Sequence, residues 1–71
     1  MTEPLKGLLI GCGFFARNQL HAWAETDGAE ILAVCDRDAQ RSRGYAVEFA
    51  IPAWHDTADV LSSGAFDFVD I

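Results

Sequence analysis

The sequence has few basic residues and no long apolar run. It contains 5 Lys and Arg against 11 Asp and Glu, which gives 71 residues a formal net charge of -6 at pH 7. Because the neutralisation of nucleic-acid phosphates needs clustered cations, this balance argues against nucleic-acid binding. No apolar run approaches the roughly 18 to 20 residues of a membrane span. The start, Met1 to Pro4, lacks the pattern of a signal peptide, so we expect a cytoplasmic globular protein away from membranes.

Cysteine and histidine are also scarce, and they are irregularly spaced. The chain has only Cys12, Cys35, His21 and His55. These residues form neither a CxxC motif nor the ligand spacing of a zinc site. Both cysteines are expected near the carboxyl ends of neighbouring strands, as small buried hydrophobes. We therefore predict no metal site and no disulfide framework.

Hydrophobic periodicity and turn residues predict strands and helices in strict alternation, β-α-β-α-β-α-β. The strands are expected at residues 5–10, 29–35, 53–54 and 66–71. The helices are expected at residues 14–26, at 39–49 with Asp38 as N-cap, and from the N-cap Asp56 to Ser62 or Ser63. Such alternation implies a parallel sheet with right-handed crossovers, a Rossmann-like α/β fold. We expect the chain to stop within the fourth strand, as a fragment of a longer protein.

The first two predicted helices carry apolar residues near helical spacing. On the first helix these are Phe15, Leu20 and Trp23, with Ala16 and Ala24. On the second helix they are Tyr45, Val47 and Phe49. We expect both sets to pack against the sheet.

A glycine-rich turn, GCGFFA, connects the first strand to the first helix at residues 11–16. Gly11 can adopt backbone angles that a side chain would forbid in a tight turn. Gly13 allows the main chain to approach a pyrophosphate closely. The N–H groups of Phe14 and Phe15, unpaired at the start of a helix, can donate hydrogen bonds to phosphate oxygens. Each position therefore suits the binding of a dinucleotide.

An acidic residue follows at the spacing that this motif requires. Asp36 ends the second strand about 20 residues beyond Ala16, which takes the place of a third glycine and suits close helix-to-strand packing. A carboxylate there accepts hydrogen bonds from the adenine-ribose hydroxyls and repels a 2′-phosphate, which favours NAD. Arg37 leaves NADP open, because it can either stack on adenine or meet a 2′-phosphate. Arg41 and Arg43 are equally consistent with a solvated helix face. The predicted cofactor-binding residues are Gly11, Gly13, Phe14, Phe15, Ala16, Asp36 and Arg37.

Four segments, GCGFFARNQLHAW, ILAVCDRD, FAIPAWHDTADVL and FDFVDI, together resemble the N-terminal domain of the Gfo/Idh/MocA family of glucose–fructose oxidoreductases and inositol dehydrogenases. The resemblance covers nearly the whole chain. It implies an NAD(P)-dependent oxidoreductase of sugars, cyclitols and related polyols, assembled as a homo-oligomer. Residues 1–71 would then be the N-terminal part of its Rossmann domain.

The same resemblance implies that the catalytic residues belong to other parts of the protein. The family's catalytic lysine lies in a Glu-Lys-Pro segment, whereas the one lysine here, Lys6, is in the first strand and does not match. We therefore expect no catalytic residue within this chain, and a catalytic C-terminal domain beyond it. The sequence leaves two alternatives open: a non-catalytic dinucleotide-sensing module, and an α/β fragment whose glycine-rich turn only connects a strand to a helix.

Overall fold

The computed structural model describes residues 3–56 and 58–71, which form one parallel sheet with helices against it. The strands are β1 (Leu5–Ile10), β2 (Ala29–Cys35), β3 (Ala53–His55) and β4 (Phe68–Asp70). The helices are α1 (Ala16–Ala24), α2 (Ala39–Glu48) and a 3-10 helix (Ala58–Ser63). The strand order is β3-β2-β1-β4, and each neighbouring pair is parallel. The predicted Rossmann-like α/β fold is confirmed.

The central strand β1 is buried on both faces, as an apolar run in a parallel sheet should be. Leu9 belongs to the core under α1 and α2, together with Leu20 and Val34. Leu8 points to the opposite face and packs with Ala33, beneath Val60 of the 3-10 helix. Since successive side chains of a strand alternate between faces, this one strand supplies both layers of the core.

Side-chain contacts near both of its ends anchor α1 to its neighbours. Arg17 forms an ion pair with Glu48 at the end of α2, and its guanidinium lies 5.5 Å from the ring centre of Tyr45. On the other side, Trp23 Nε1 donates to Asp70 Oδ2 of β4 at 2.8 Å. The start of α1 is thereby held against α2, and its end is held against the sheet.

The helix boundaries differ from the predicted ones at several points. Helix α1 is shorter than the predicted 14–26, because Phe14 and Phe15 belong to the turn that precedes it. Helix α2 begins where predicted, and the Asp38 side chain accepts from the N–H of Gln40 at 3.0 Å, which confirms Asp38 as the N-cap. The third helix is a 3-10 helix and not an α-helix. Residue 57, next to the predicted N-cap Asp56, lies outside the described residues, so the Asp56 cap stays a prediction.

The predicted strands β1 and β2 are confirmed to the residue, whereas the two outer strands are not. Strand β3 is one residue longer than predicted, and β4 forms only over Phe68–Asp70. The approach to β4 is fixed by Asp67, which donates its N–H to the Lys6 carbonyl at 2.6 Å and accepts from the Lys6 N–H at 2.8 Å.

Three residues predicted to pack inward are exposed instead. Phe15 precedes the helix, Ala24 ends it, and Val47 is 75% exposed on the outer face of α2. Leu20 is buried, and Trp23, Tyr45 and Phe49 are half-buried against the core as predicted.

No helix among the described residues is long and apolar enough to cross a bilayer.

Candidate functional site

The carboxyl ends of β1 and β2 bring the glycine-rich turn and Asp36 together at one edge of the sheet. Ile10 and Cys35 are register partners, and the N–H of Gly11 donates to the Cys35 carbonyl at 2.8 Å. The two strands therefore end side by side, so the residues that follow them, Gly11 and Asp36, lie next to each other. In open parallel sheets this edge is where ligands bind.

Gly11 makes the first bend of the turn, and its φ of +92° explains why a glycine is present. A side chain at this position would be strained. The turn closes at Ala16, whose N–H donates to the Gly13 carbonyl at 3.1 Å and whose side chain is buried in the core. The close helix-to-strand packing predicted for Ala16 is therefore observed.

The middle of the turn is open to solvent. A Cβ built on Gly13 meets no heavy atom within 4 Å, and Phe14 is 91% exposed. The rings of Phe14 and Phe15 meet edge to face, with centroids 5.3 Å apart. Within the part of the chain that the structure describes, no atom accepts a hydrogen bond from the N–H groups of Gly13, Phe14 or Phe15. Three backbone donors are thus available to a ligand beside an open surface.

Asp36 is joined to the turn through its carboxylate. Oδ2 accepts from the N–H of Cys12 at 2.7 Å, and Oδ1 accepts from the N–H of Asp38 at 2.7 Å. Each carboxylate oxygen can accept a further hydrogen bond, so both remain usable by hydroxyl groups of a ligand. The bond to Cys12 was not predicted from the sequence, because it joins residues 24 positions apart.

These contacts keep Asp36 ionised. The N–H of Asp38 is the largest cause of a lowered pKa for this carboxyl, and it outweighs the opposing effect of partial burial. The N–H of Cys12 and the guanidinium groups of Arg41 and Arg37 lower the pKa further. A charged acceptor is therefore present at neutral pH.

The two cysteines lie beside this carboxylate as buried, reduced thiols. Cys12 Sγ donates to the Cys35 carbonyl at 3.6 Å, a long contact typical of a weak sulfur donor. Burial, with the charge of Asp36 as a second cause, raises the pKa of Cys12 to about 11. The prediction that both are small buried hydrophobes near each other is confirmed, and neither is a reactive thiolate at neutral pH.

Two clefts flank the turn, with volumes of about 670 Å³ and 350 Å³. The residues that line the first cleft include Gly11, Asp36, Arg37, Arg41 and Asp56. The second cleft is lined by Cys12, Gly13, Phe14, Arg41 and Tyr45. Both volumes fall in the range of small-molecule sites.

Arg41 is the residue common to both clefts, whereas Arg43 is exposed on α2 and lines neither. The sequence pattern alone did not distinguish the two arginines. One signal would have separated them: Arg41 lies three residues after the N-cap Asp38, in the first turn of the helix. The first turn of a helix that follows a parallel strand lies next to the ligand-binding edge of the sheet.

The histidines lie outside this site. His21 is exposed on α1, with its ring 4.9 Å from that of Phe49, and His55 is half-buried in β3. Across residues 3–56 and 58–71, no group of three His, Cys, Asp or Glu side chains could hold a metal ion.

A parallel sheet whose first strand enters a glycine-rich turn, with an acid at the end of the second strand, defines a Rossmann-type dinucleotide-binding domain. The sequence agrees with this class. Residues 5–71 match the profile of Gfo/Idh/MocA, an oxidoreductase family with an NAD-binding Rossmann fold, and the chain belongs to this family. The resemblance predicted from the sequence motifs is thus confirmed.

Known relatives share more than half of their aligned residues with this chain. D-apiose dehydrogenase of Paraburkholderia graminis is 55% identical over 71 residues, which are 99% of this chain and 19% of that protein. D-apiose dehydrogenase of Rhizobium rhizogenes is 54% identical over 72 residues, which are 100% of this chain and 21% of that protein.

A solved structure gives the same result in three dimensions. An oxidoreductase from Agrobacterium radiobacter, crystallised with NAD+, L-tartaric acid and magnesium, superposes with a TM-score of 0.90 at 52% identity. The match covers 99% of this chain and 20% of that one. The chain therefore spans about one fifth of the length of the relatives it matches.

Proposed function

We propose that this chain binds NAD at the glycine-rich turn, as the cofactor-holding part of an oxidoreductase that transfers hydride between nicotinamide and a sugar, cyclitol or related polyol. The observation that supports this most directly is the bond from the Cys12 N–H to Asp36 Oδ2 at 2.7 Å. It fixes an ionised carboxylate beside a turn with free backbone donors. The cofactor-binding residues are Gly11, Gly13, Phe14, Phe15, Ala16, Asp36 and Arg37.

The turn fits a pyrophosphate. The N–H groups of Phe14 and Phe15 precede α1, where the helix dipole favours negative charge. The space above Gly13, where a Cβ would meet nothing within 4 Å, leaves room for phosphate oxygens to approach the main chain. Gly11 and Ala16 shape the turn and hold it against the core.

The first cleft fits the adenosine. Asp36 lines it with a carboxylate that accepts hydrogen bonds from ribose hydroxyls, and Arg37 offers a planar guanidinium on which adenine can stack. Because a carboxylate repels a 2′-phosphate, NAD is preferred over NADP.

The chemistry belongs to the whole protein. Bound nicotinamide would supply the hydride acceptor or donor, and a residue outside this chain would take the proton of the substrate hydroxyl. The D-apiose dehydrogenase relatives support a sugar-like substrate. We propose that residues 1–71 are the N-terminal part of the Rossmann domain of a cytoplasmic homo-oligomer, with the catalytic residues in a C-terminal domain.

Gly13→Val tests the assignment of the turn. The substitution should abolish NAD binding, because a branched side chain would fill the space that the pyrophosphate needs, while the open surroundings leave the fold intact. Gly44→Val is the matched control, since a Cβ at this helical glycine also meets nothing within 4 Å. Isothermal titration calorimetry measures NAD affinity, and circular dichroism checks folding.

Retained NAD affinity in a folded Gly13→Val variant would refute the role of the turn. Hydride transfer itself is tested with the full-length protein, by following NADH absorbance with D-apiose and other polyols. NAD binding without turnover of any polyol would instead favour the dinucleotide-sensing alternative.

A further inference from the structure

We infer that Arg41 binds the pyrophosphate of the dinucleotide, as a cofactor-binding residue that the glycine-rich motif does not include. The inference rests on the proposed function, because it assumes that NAD occupies the turn.

The position of Arg41 is the main reason. A dinucleotide in this fold places its ribose at Asp36 and its pyrophosphate at Gly13 and Phe14. Asp36 lines the first cleft, and Gly13 and Phe14 line the second. Arg41 lines both clefts. Its side chain therefore borders the path from the ribose to the phosphates.

The present partner of Arg41 does not hold it firmly. Its Nε lies 3.6 Å from Asp38 Oδ2, beyond a good hydrogen-bond distance, and the two side chains are 61% and 49% exposed. Exposed pairs of this kind contribute little to stability. The guanidinium can therefore exchange this carboxylate for a phosphate, which it binds with two parallel hydrogen bonds.

The charges around the two clefts favour the pyrophosphate over a 2′-phosphate. The first cleft contains the carboxylates of Asp36 and Asp56, which oppose a further anion there. The second cleft has no acidic residue in its described lining, and it contains the backbone of Gly13 and Phe14. We therefore expect the phosphate that Arg41 binds to lie in the second cleft, where it would also accept from the N–H groups of Gly13 and Phe14.

The test is Arg41→Ala in the full-length protein, with Arg43→Ala as the matched control on the same helix. We expect Arg41→Ala to weaken NAD and 5′-ADP binding about tenfold, which corresponds to about 1.4 kcal/mol. Adenosine, which lacks phosphates, should bind equally well to both variants and to the wild type. Arg41→Lys should recover part of the affinity, because it keeps the charge but not the two parallel bonds. The loss should shrink at high salt.

Displacement of NADH, followed by its fluorescence, measures all of these affinities. A similar loss for adenosine would mean that Arg41 acts only by positioning Asp36, and it would overturn the inference. A loss for 2′-AMP but not for 5′-ADP would overturn it as well, since Arg41 would then serve the 2′ position. If the wild type fails to bind NAD, the proposed function fails. If the wild type binds NAD and Arg41→Ala equals it, only the role of Arg41 fails.

Discussion

Asp36→Ala is the most informative single substitution, because the structure gives this carboxylate a structural contact as well as a predicted ligand contact. The substitution removes the acceptor of the Cys12 and Asp38 N–H groups, both at 2.7 Å. The Cys12 N–H belongs to the glycine-rich turn, so the turn loses a connection to the end of β2. We therefore expect a loss of stability without any ligand, in addition to a loss of NAD affinity.

The magnitude follows from the two bonds. A hydrogen bond to a charged group contributes about 1.5–3 kcal/mol when buried. Asp36 is half-buried, so water replaces part of each bond, and we expect the free energy of unfolding to fall by about 2 kcal/mol in total. For a domain of about 150–250 residues, larger than this chain, 2 kcal/mol corresponds to a decrease in Tm of about 4–8 °C.

The stability effect also depends on pH. The folded-state pKa of Asp36 lies below its unfolded value, so the ionised carboxylate stabilises the fold above the ordinary aspartate range. This contribution disappears as the pH falls through the lowered pKa. The difference in Tm between wild type and Asp36→Ala should therefore be full at neutral pH and vanish in acid.

Thermal unfolding by circular dichroism measures the stability, and amide hydrogen exchange by NMR reports on the Cys12 N–H directly. Asp27→Ala is the control, since it removes an exposed carboxylate in the turn between α1 and β2, away from the glycine-rich turn. Unchanged Tm and unchanged protection of the Cys12 amide would refute the structural role. In cofactor binding, Asp36→Ala should have a lower affinity for NAD, and its preference between the two cofactors should move toward NADP. An unchanged preference would count against the ribose contact.

Two further predictions concern the packing around the site. Gly7→Ala should destabilise the fold by about 1–3 kcal/mol, because its Cβ would lie 2.2 Å from Cζ of Phe68. The Phe68 ring packs against the Trp23 ring, with centroids 4.7 Å apart and planes inclined at 35°, so it has little room to move. Urea denaturation measures this loss, and an unchanged midpoint would contradict the close contact. Cys12, with a pKa raised to about 11, should not react with a thiol reagent at pH 8 until the protein unfolds; prompt labelling of the native protein would show that the thiol is accessible.

Local signals were enough for the inner strands and for the cap of α2. The apolar runs that end at Gly11 and Asp36 mark β1 and β2, because a strand buried on both faces needs apolar residues at successive positions. Asp38 was found for a similar reason, since a side-chain cap acts on an N–H two residues away. The outer strands were less well bounded, because their length depends on pairing with β1 and β2.

The face that each helix turns to the sheet was harder to predict. Val47 and Phe15 are apolar and were expected inside, yet Val47 lies on the outer face of α2 and Phe15 lies ahead of α1. Helical periodicity gives the relative angles of side chains, but the contact with the sheet decides which angle points inward. The difference between Arg41 and Arg43 was also missed, although the place of Arg41 in the first turn of α2 indicated it.

By itself, the sequence determined the order of strands and helices, the glycine-rich turn, the acid at the end of β2 and the family. Each of these is written in residue types at short spacings, where backbone geometry and helix or strand periodicity act directly. Only the tertiary structure decided that Asp36 accepts a hydrogen bond from the Cys12 N–H and that Arg41 borders both clefts. Those contacts join residues from different elements, and their distances are set by the pairing of β1 with β2 and by the packing of α2 against the sheet.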